Sequence, residues 1–367
     1  MEGTILEVLT QPNPHLVLTY QKRGPLTKNP AYIKLEDPDI STSAWDDFTY
    51  QNIVAALGNL LDYGLVTSVI EDDIGGSQRG IETEEDVDRI GDHWIRAVIK
   101  GPLKYGSRRV LQQLRVEEDE HDMNELSFRL KGVDLVDPMG KKRFKPDWWM
   151  FQQKKPATNI VFGDSKCSTK WCSDTSRGLP SKTTDWIWPM RQIGTYCYQG
   201  ETRYAFIMTP RELVVARFYL HQQNAIPSRV EIKSIPWEAG GSPNELTMNL
   251  ALWALAMFAL NKDHRDINSR DETLPLNLWW KVEDATGATF YEHHLTGRRL
   301  STLPSGGEAR IRPLVVKKPV ILTPPVTPEK SAATGESSKK RARKVTSGEK
   351  KEQANKRGRT EKTTASE

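Results

Sequence analysis

The sequence predicts a mixed α/β (α+β) fold, with a central mixed β-sheet flanked by helices and a disordered basic C-terminal tail. Three observations predict it. After Thr83 the order is helix, several strands, helix, three strands, helix, the pattern of helices packed on a mixed sheet. The segment Asn159–Lys166 carries apolar residues at both parities, as a covered central strand should. From about Ser301 the chain turns rich in Pro, Ser, Thr, Lys and Gly and poor in aromatics, a composition that cannot offset the entropy of ordering. The expected organisation is an N-terminal helical or irregular extension over 1–80, a main domain over 81–300 with C-terminal additions, and the tail over 301–367.

Residues 1–40 hold several prolines and read as irregular. A helix is expected over Ala44–Leu61, with Val54, Leu57, Leu60 and Leu61 on one face. Asp72–Arg79, with Gly75 and Gly76, reads as a loop. Thr83-Glu84-Glu85-Asp86 forms a capping box with Asp in place of Glu. Val87, Ile90, Trp94 and Val98 then recur at helical spacing, and early acids suit the positive end of the helix dipole. Strands follow over Leu126–Val136, Phe144–Phe151 and Asn159–Lys166, the last two joined by a polar loop. Trp188–Gln199 reads as a helix. Tyr204–Thr209 and Glu212–Leu220 form a hairpin around Pro210-Arg211, and Arg229–Ile235 is another strand. Ser242-Pro243-Asn244-Glu245 reads as a helix start opening Leu246–Leu260. That helix is apolar nearly all round, hence buried, and too short to span a bilayer. Leu276–Val282 and Ala288–His293 form a last hairpin around Asp284–Gly287.

Charge is unevenly placed. Residues 301–367 hold 16 Lys and Arg against 7 Asp and Glu, which leaves 36 against 41 for residues 1–300. The globular part is mildly acidic and the tail basic, which suits nucleic acid, an import receptor, or both. Lys339, Lys340, Arg341, Arg343 and Lys344 form a basic run, with a second at Lys356–Arg359. They read as a nuclear localisation signal, and nuclear residence is expected. Three cysteines, an odd count, argue against a disulfide framework and for a reducing compartment. The N-terminus has no basic and apolar leader pattern, and no membrane association is expected. No P-loop, G-x-S-x-G or dinucleotide fingerprint is present. Cys167, Cys172 and Cys197 are poorly spaced for zinc.

The chemistry concentrates in two short motifs, Pro146-Asp147 and Asp164-Ser165-Lys166. On a strand, Asp164 and Lys166 point one way and Ser165 the other. By the same parity Ile160 and Phe162 share the Asp164 face, and Val161 takes the opposite one. If the two motif strands pair, Asp147 lies beside Asp164, where two carboxylates repel unless a cation joins them. Magnesium takes oxygen ligands, commonly one or two carboxylates plus phosphate oxygens. It eases deprotonation of water and offsets charge on phosphate. Lys166 then orients the water or stabilises developing negative charge. Gln192 and Tyr196 follow at i and i+4 on one helical face.

P-D…D-x-K followed by Q-x-x-x-Y resembles the PD-(D/E)XK nuclease superfamily, in particular its RecB-like and lambda-exonuclease-like branch. The resemblance covers roughly Thr83–Leu220. It implies a restriction-endonuclease-like core and Mg2+- or Mn2+-dependent phosphodiester hydrolysis, with DNA the expected substrate. Asp147 and Asp164 would be metal ligands, Lys166 the catalytic lysine, and Gln192 and Tyr196 the supporting pair. The family often adds a helix glutamate to the metal set; here Glu84 is preferred, with Glu85 the alternative. Ser165 departs from the family pattern, which more often has an apolar residue there. Cys167–Asp185 is long and polar, an insertion near the site. The alternative function is a catalytically inactive nuclease-fold protein that binds nucleic acid or protein.

Overall fold

Six segments rich in apolar residues, with the short edge strand Thr42–Ala44, meet in one mixed sheet. In the computed structural model, the described residues are 2–19, 26–35, 42–66, 79–115, 126–136, 143–153, 157–173, 186–220, 227–267 and 274–313. The strands are β1 (Thr42–Ala44), β2 (Leu126–Leu130), β3 (Trp148–Gln152), β4 (Thr158–Ser165), β5 (Tyr204–Met208), β6 (Glu212–Leu220) and β7 (Pro227–Pro236). Their spatial order is β1-β7-β6-β5-β4-β3-β2. β4 and β5 run parallel, as do β1 and β7; the other neighbours are antiparallel. A parallel pair needs a crossover, and here it is the helix Ile187–Gln199. Every residue of β5 is buried, as a strand covered on both faces requires.

The helices are α1 (Ile5–Thr10), α2 (Tyr50–Leu61), α3 (Glu84–Ile90), α4 (Arg96–Gln113), α5 (Ile187–Gln199) and α6 (Met248–Phe258). One face of the sheet shares a core with α1, α2, α3, α4 and α6. The other packs on α5 and on residues 26–35. Between α3 and α4 the chain makes a π-helical turn at Gly91–Ile95. A Cβ at Gly91 would lie 2.7 Å from the Trp148 ring and 3.1 Å from Met208 Sδ. Glycine therefore lets this helix settle directly on β3 and β5. A four-stranded sheet of β8 (Leu278–Glu283), β9 (Thr289–His293), β10 (Arg299–Leu300) and β11 (Glu308–Ile311) follows.

Several expectations shift. Ala44 belongs to a strand: β1 pairs with β7, and α2 starts only after Thr49, whose hydroxyl accepts from Asn52 N–H. Residues 1–40 include α1, closed by a capping box of Thr4 and Glu7. Residues 2–66 thus supply α1, α2 and β1 within the compact unit Met1–Leu314. The helix start at Ser242 is a turn instead. Asn244 adopts a left-handed φ of 64°, which stops helix propagation, and Thr247 caps α6. Lys131, at φ 60°, ends β2 before the short strand Leu135–Val136. Ile160 lies in the same core as Val161, and Phe162 in the opposite one. A register shift between Asn159 and Val161, a bulge that lets two neighbours share a face, breaks the simple parity. The tail is expected from Ser301, but β11 pairs with β8 beyond that point. Lys339, Lys340, Arg341, Arg343 and Lys344 lie outside the described residues. Among the described residues no helix is long and apolar enough to cross a membrane.

Candidate active site

The site forms where the C-terminal end of β4 meets the start of β3. Gly163 of β4 is opposite Trp148 of β3, so the next residue along each, Asp164 and Asp147, come together. Gly163 itself is needed because the Phe206 ring packs over it; a Cβ there would be 2.1 Å from the ring. Asp147 accepts a hydrogen bond from Ser165 N–H at 3.0 Å, which pins the approach to β3 onto β4. The Asp147 carboxylate lies near enough to Asp164 to act on its charge. Lys166 Nζ donates to Asp164 Oδ2 and, at 3.0 Å, to the Ser165 carbonyl.

The crossover helix completes the group. Gln192 Nε2 donates to Asp164 Oδ1 at 2.9 Å and to the Tyr196 hydroxyl oxygen at 2.8 Å. The Tyr196 hydroxyl donates to the Lys145 carbonyl at 3.3 Å. Positions i and i+4 thus act as one hydrogen-bonded unit, as their helical spacing allows. Asp147, Asp164, Lys166, Gln192 and Tyr196 form a continuous network. Asp164 is 1 % exposed and Lys166 6 %, while Asp147 is half-buried.

Glu84 stands outside that network. It opens α3 and accepts from Lys170 Nζ at 3.1 Å, so residue 170 of the expected insertion closes on the helix acid. Glu85 is exposed. Among the described residues, no three His, Cys, Asp or Glu side chains come together in a group able to hold a metal ion. Two of the expected ligands therefore meet, and Glu84 acts on Lys166 through space.

Two residues of the neighbourhood were not singled out in the sequence. Asp88, one turn after Glu84, shares a hydrogen bond with Ser165 and feels Asp147, Glu84 and Lys166. The Ser165 hydroxyl also accepts from Trp148 Nε1 at 2.8 Å. The serine in the middle of D-x-K thus ties the helix acid to the strand, a role an apolar residue cannot fill. Asp88 Oδ1 is buried with no hydrogen-bond partner. The four-residue spacing from Glu84 was the available signal. The second is Tyr32, from residues 26–35, which lie along α5. Ile33 N–H donates to Thr195 Oγ1 at 2.9 Å, and Arg191 donates to the Leu35 carbonyl at 2.9 Å. Tyr32 stands within the field of Asp164, Lys166 and Asp147. Nothing in its irregular, proline-rich surroundings marked it.

Burial dominates the electrostatics. It pushes the Asp164 carboxyl well above the usual carboxylate range; Lys166 opposes this and the Asp147 carboxylate reinforces it. Burial also works to lower Lys166, but the Asp164 carboxylate, with Glu84 and Asp147 behind it, holds its ammonium above the ordinary lysine value. The neighbourhood therefore keeps a charged lysine beside an Asp164 carboxyl that holds its proton more readily than usual. Burial lifts Asp88 to about 6, and Asp147 and Glu84 add to the lift against the Ser165 hydrogen bond. The Tyr32 hydroxyl is pushed up to about 12 by burial and then by Asp164. Burial, then Asp164, holds Tyr196 well above the ordinary tyrosine value.

Two neighbouring carboxylates repel unless a proton or a cation lies with them. Magnesium and manganese favour such oxygen donors, often one or two carboxylates with the remaining positions left to water or phosphate. The donor chemistry of Asp147 and Asp164, with the unpartnered Asp88 oxygen nearby, fits either ion. In comparisons with known proteins, no family model, no curated protein and no solved structure matches this chain.

Proposed function

We propose that this chain is a metal-dependent nuclease that hydrolyses phosphodiester bonds, with DNA as its substrate, on a restriction-endonuclease-like core of the PD-(D/E)XK type. The observation that carries the reading is the strand pairing that brings Asp147, bonded to Ser165 N–H, beside Asp164, with Lys166 bonded to the second of them. Asp147 and Asp164 would hold Mg2+ or Mn2+, with Glu84 and Asp88 supplying negative charge from α3. The ion supplies positive charge toward a phosphoryl oxygen and makes water easier to deprotonate. Gln192 fixes the Asp164 carboxylate through Oδ1, and the Tyr196 hydroxyl fixes the Gln192 amide in turn. Lys166 supplies an ammonium that is charged across the physiological range, suited to orient water or to stabilise charge developing on the phosphate. Asp147 and Glu84 are the more exposed members, so the substrate approaches from their side. The basic run Lys339, Lys340, Arg341, Arg343 and Lys344 would bind an import receptor and direct the protein to the nucleus.

The test is DNA cleavage by purified wild type with Mg2+ or Mn2+, beside Asp164→Asn and Lys166→Ala. Activity in the wild type that both substitutions abolish supports the reading. Equal activity in all three places the cleavage in a contaminant.

A second reading is a catalytically inactive nuclease-fold protein that binds nucleic acid or protein. The depth of Asp164 and Lys166, their direct pairing, and the absence among the described residues of a group of three or more His, Cys, Asp or Glu able to hold a metal favour it. Titration calorimetry with divalent metal separates the two: no heat dependent on Asp164 leaves the binding role.

A further inference from the structure

We propose that the exposed ridge of α4 is the track that holds the phosphate backbone of the nucleic acid. This rests on the nucleic-acid reading of the site above and names the surface that serves it. The helix Arg96–Gln113 contains five basic residues, Arg96, Lys100, Lys104, Arg108 and Arg109, and no acidic one. All five are exposed. This is a local reversal of charge, since residues 1–300 as a whole carry more acid than base.

The basic residues are ordered. Arg96, Lys100, Lys104 and Arg108 fall at four-residue spacing, so they form one ridge with about 6 Å of axial rise between successive members. A π-helical turn at Gly91–Ile95 separates the ridge from the acids Glu84 and Asp88 of α3, and Arg96 Nε bonds Asp92 Oδ1 of that turn at 2.7 Å. Acid stands where a cation would be held, and base follows where a polyanion would lie. Eighteen residues make α4 about 27 Å long, the axial length of about eight base steps. An aromatic pair borders the ridge. Tyr105 stacks on Tyr63 with ring centroids 3.6 Å apart, and the Arg109 guanidinium lies over Tyr105 at 5.7 Å. Basic groups flanked by an aromatic face suit a nucleic-acid strand. A nucleic acid seated here leads to the Glu84 end of the helix and so to the carboxylate pair.

The test uses the full-length chain and a short fluorescein-labelled DNA duplex in metal-free buffer. Lysine acetylation is mapped by mass spectrometry with and without the duplex. Lys100 and Lys104 should become several-fold less reactive, while Lys281, exposed on β8, should not change. In Lys100→Gln/Lys104→Gln, the slope of log affinity against log salt should become shallower by about 1.8, the loss of two phosphate contacts. A ridge that serves only the helix dipole would leave Lys100 and Lys104 as reactive with duplex as without it. That outcome, an unchanged slope, or equal protection of Lys281 overturns the proposal. Asp164→Asn separates the two claims. Ridge protection in that variant, together with a wild type that never cuts, keeps the track and removes the nuclease. Cleavage by wild type without ridge protection does the reverse.

Discussion

Replacing Asp88 by Asn isolates what the helix acid costs the fold. Its carboxyl is held near 6 by burial and by the neighbouring acids, about 2 units above the value of an unperturbed aspartate. At 1.36 kcal/mol per unit this corresponds to about 3 kcal/mol; partial contact with solvent reduces the usable figure to about 2 kcal/mol. The sign follows from proton linkage. The unfolded chain ionises at this position near pH 4 and the folded chain near pH 6. Between those values the folded state holds the extra proton, so stability falls as pH rises and the full penalty stands above about pH 7. The substituted amide cannot ionise, and its oxygen can still accept from Ser165. Asp88→Asn should therefore match the wild type near pH 4 and exceed it by about 2 kcal/mol at pH 7.5. Urea unfolding followed by tryptophan fluorescence across that range measures the difference, and changes shared by both chains cancel. Equal stability at pH 7.5, or a less stable variant, would refute the idea that this carboxylate is held in an unfavourable environment. A gain in stability together with lost metal-dependent cleavage is the expected trade at a working site.

Lys166→Met leaves the Asp164 carboxyl buried without its counter-ion and should cost about 3–5 kcal/mol at neutral pH. Because the Asp164 carboxyl already sits above its usual range, the loss should shrink on acidification as that group takes up a proton; urea midpoints at two pH values read both effects. Gln192→Leu removes the amide that fixes Asp164 and should weaken Mg2+ affinity about 10–100-fold by calorimetry, with an unchanged affinity counting against the bracing role. In wild type, Mg2+ at 100 times its dissociation constant should add about 2.7 kcal/mol, more at pH 8 than at pH 6 because bound metal displaces protons. A thermal shift of the same size in Asp164→Asn would place the ion elsewhere. Gly163→Ala drives a methyl into the Phe206 ring and should cost about 1–3 kcal/mol, measured by thermal unfolding.

Six strands of the main sheet were legible because each carries its own apolar signal; Thr42–Ala44, short and without buried side chains, was not. The pairing of Asp147 with Asp164 followed from the same signal once β3 and β4 were taken as neighbours. Gln192 and Tyr196 were legible as a pair through helical spacing alone. Parity failed at Ile160 because a bulge is a property of two strands in register and leaves no mark on one. The apparent helix start at Ser242 failed because Asn244 tolerates the left-handed region, so a good local cap pattern closed into a turn. Asp88 was passed over because the capping box explained the acids before it, and its four-residue spacing from Glu84 is also that of a solvated face. Tyr32 depends on tertiary structure: its segment closes only a local turn on Asn29 and is placed by Thr195 and Arg191.

That placement has a consequence for biogenesis. Residues 26–35 leave the ribosome early, yet Ile33 must wait 162 positions for Thr195, and Thr247 reaches back 238 positions to Leu9. Chains closed by such distant contacts fold slowly. The tyrosine beside the carboxylates cannot dock until the crossover helix has emerged, so a chain cut short of Thr195 would carry an open, unfinished centre.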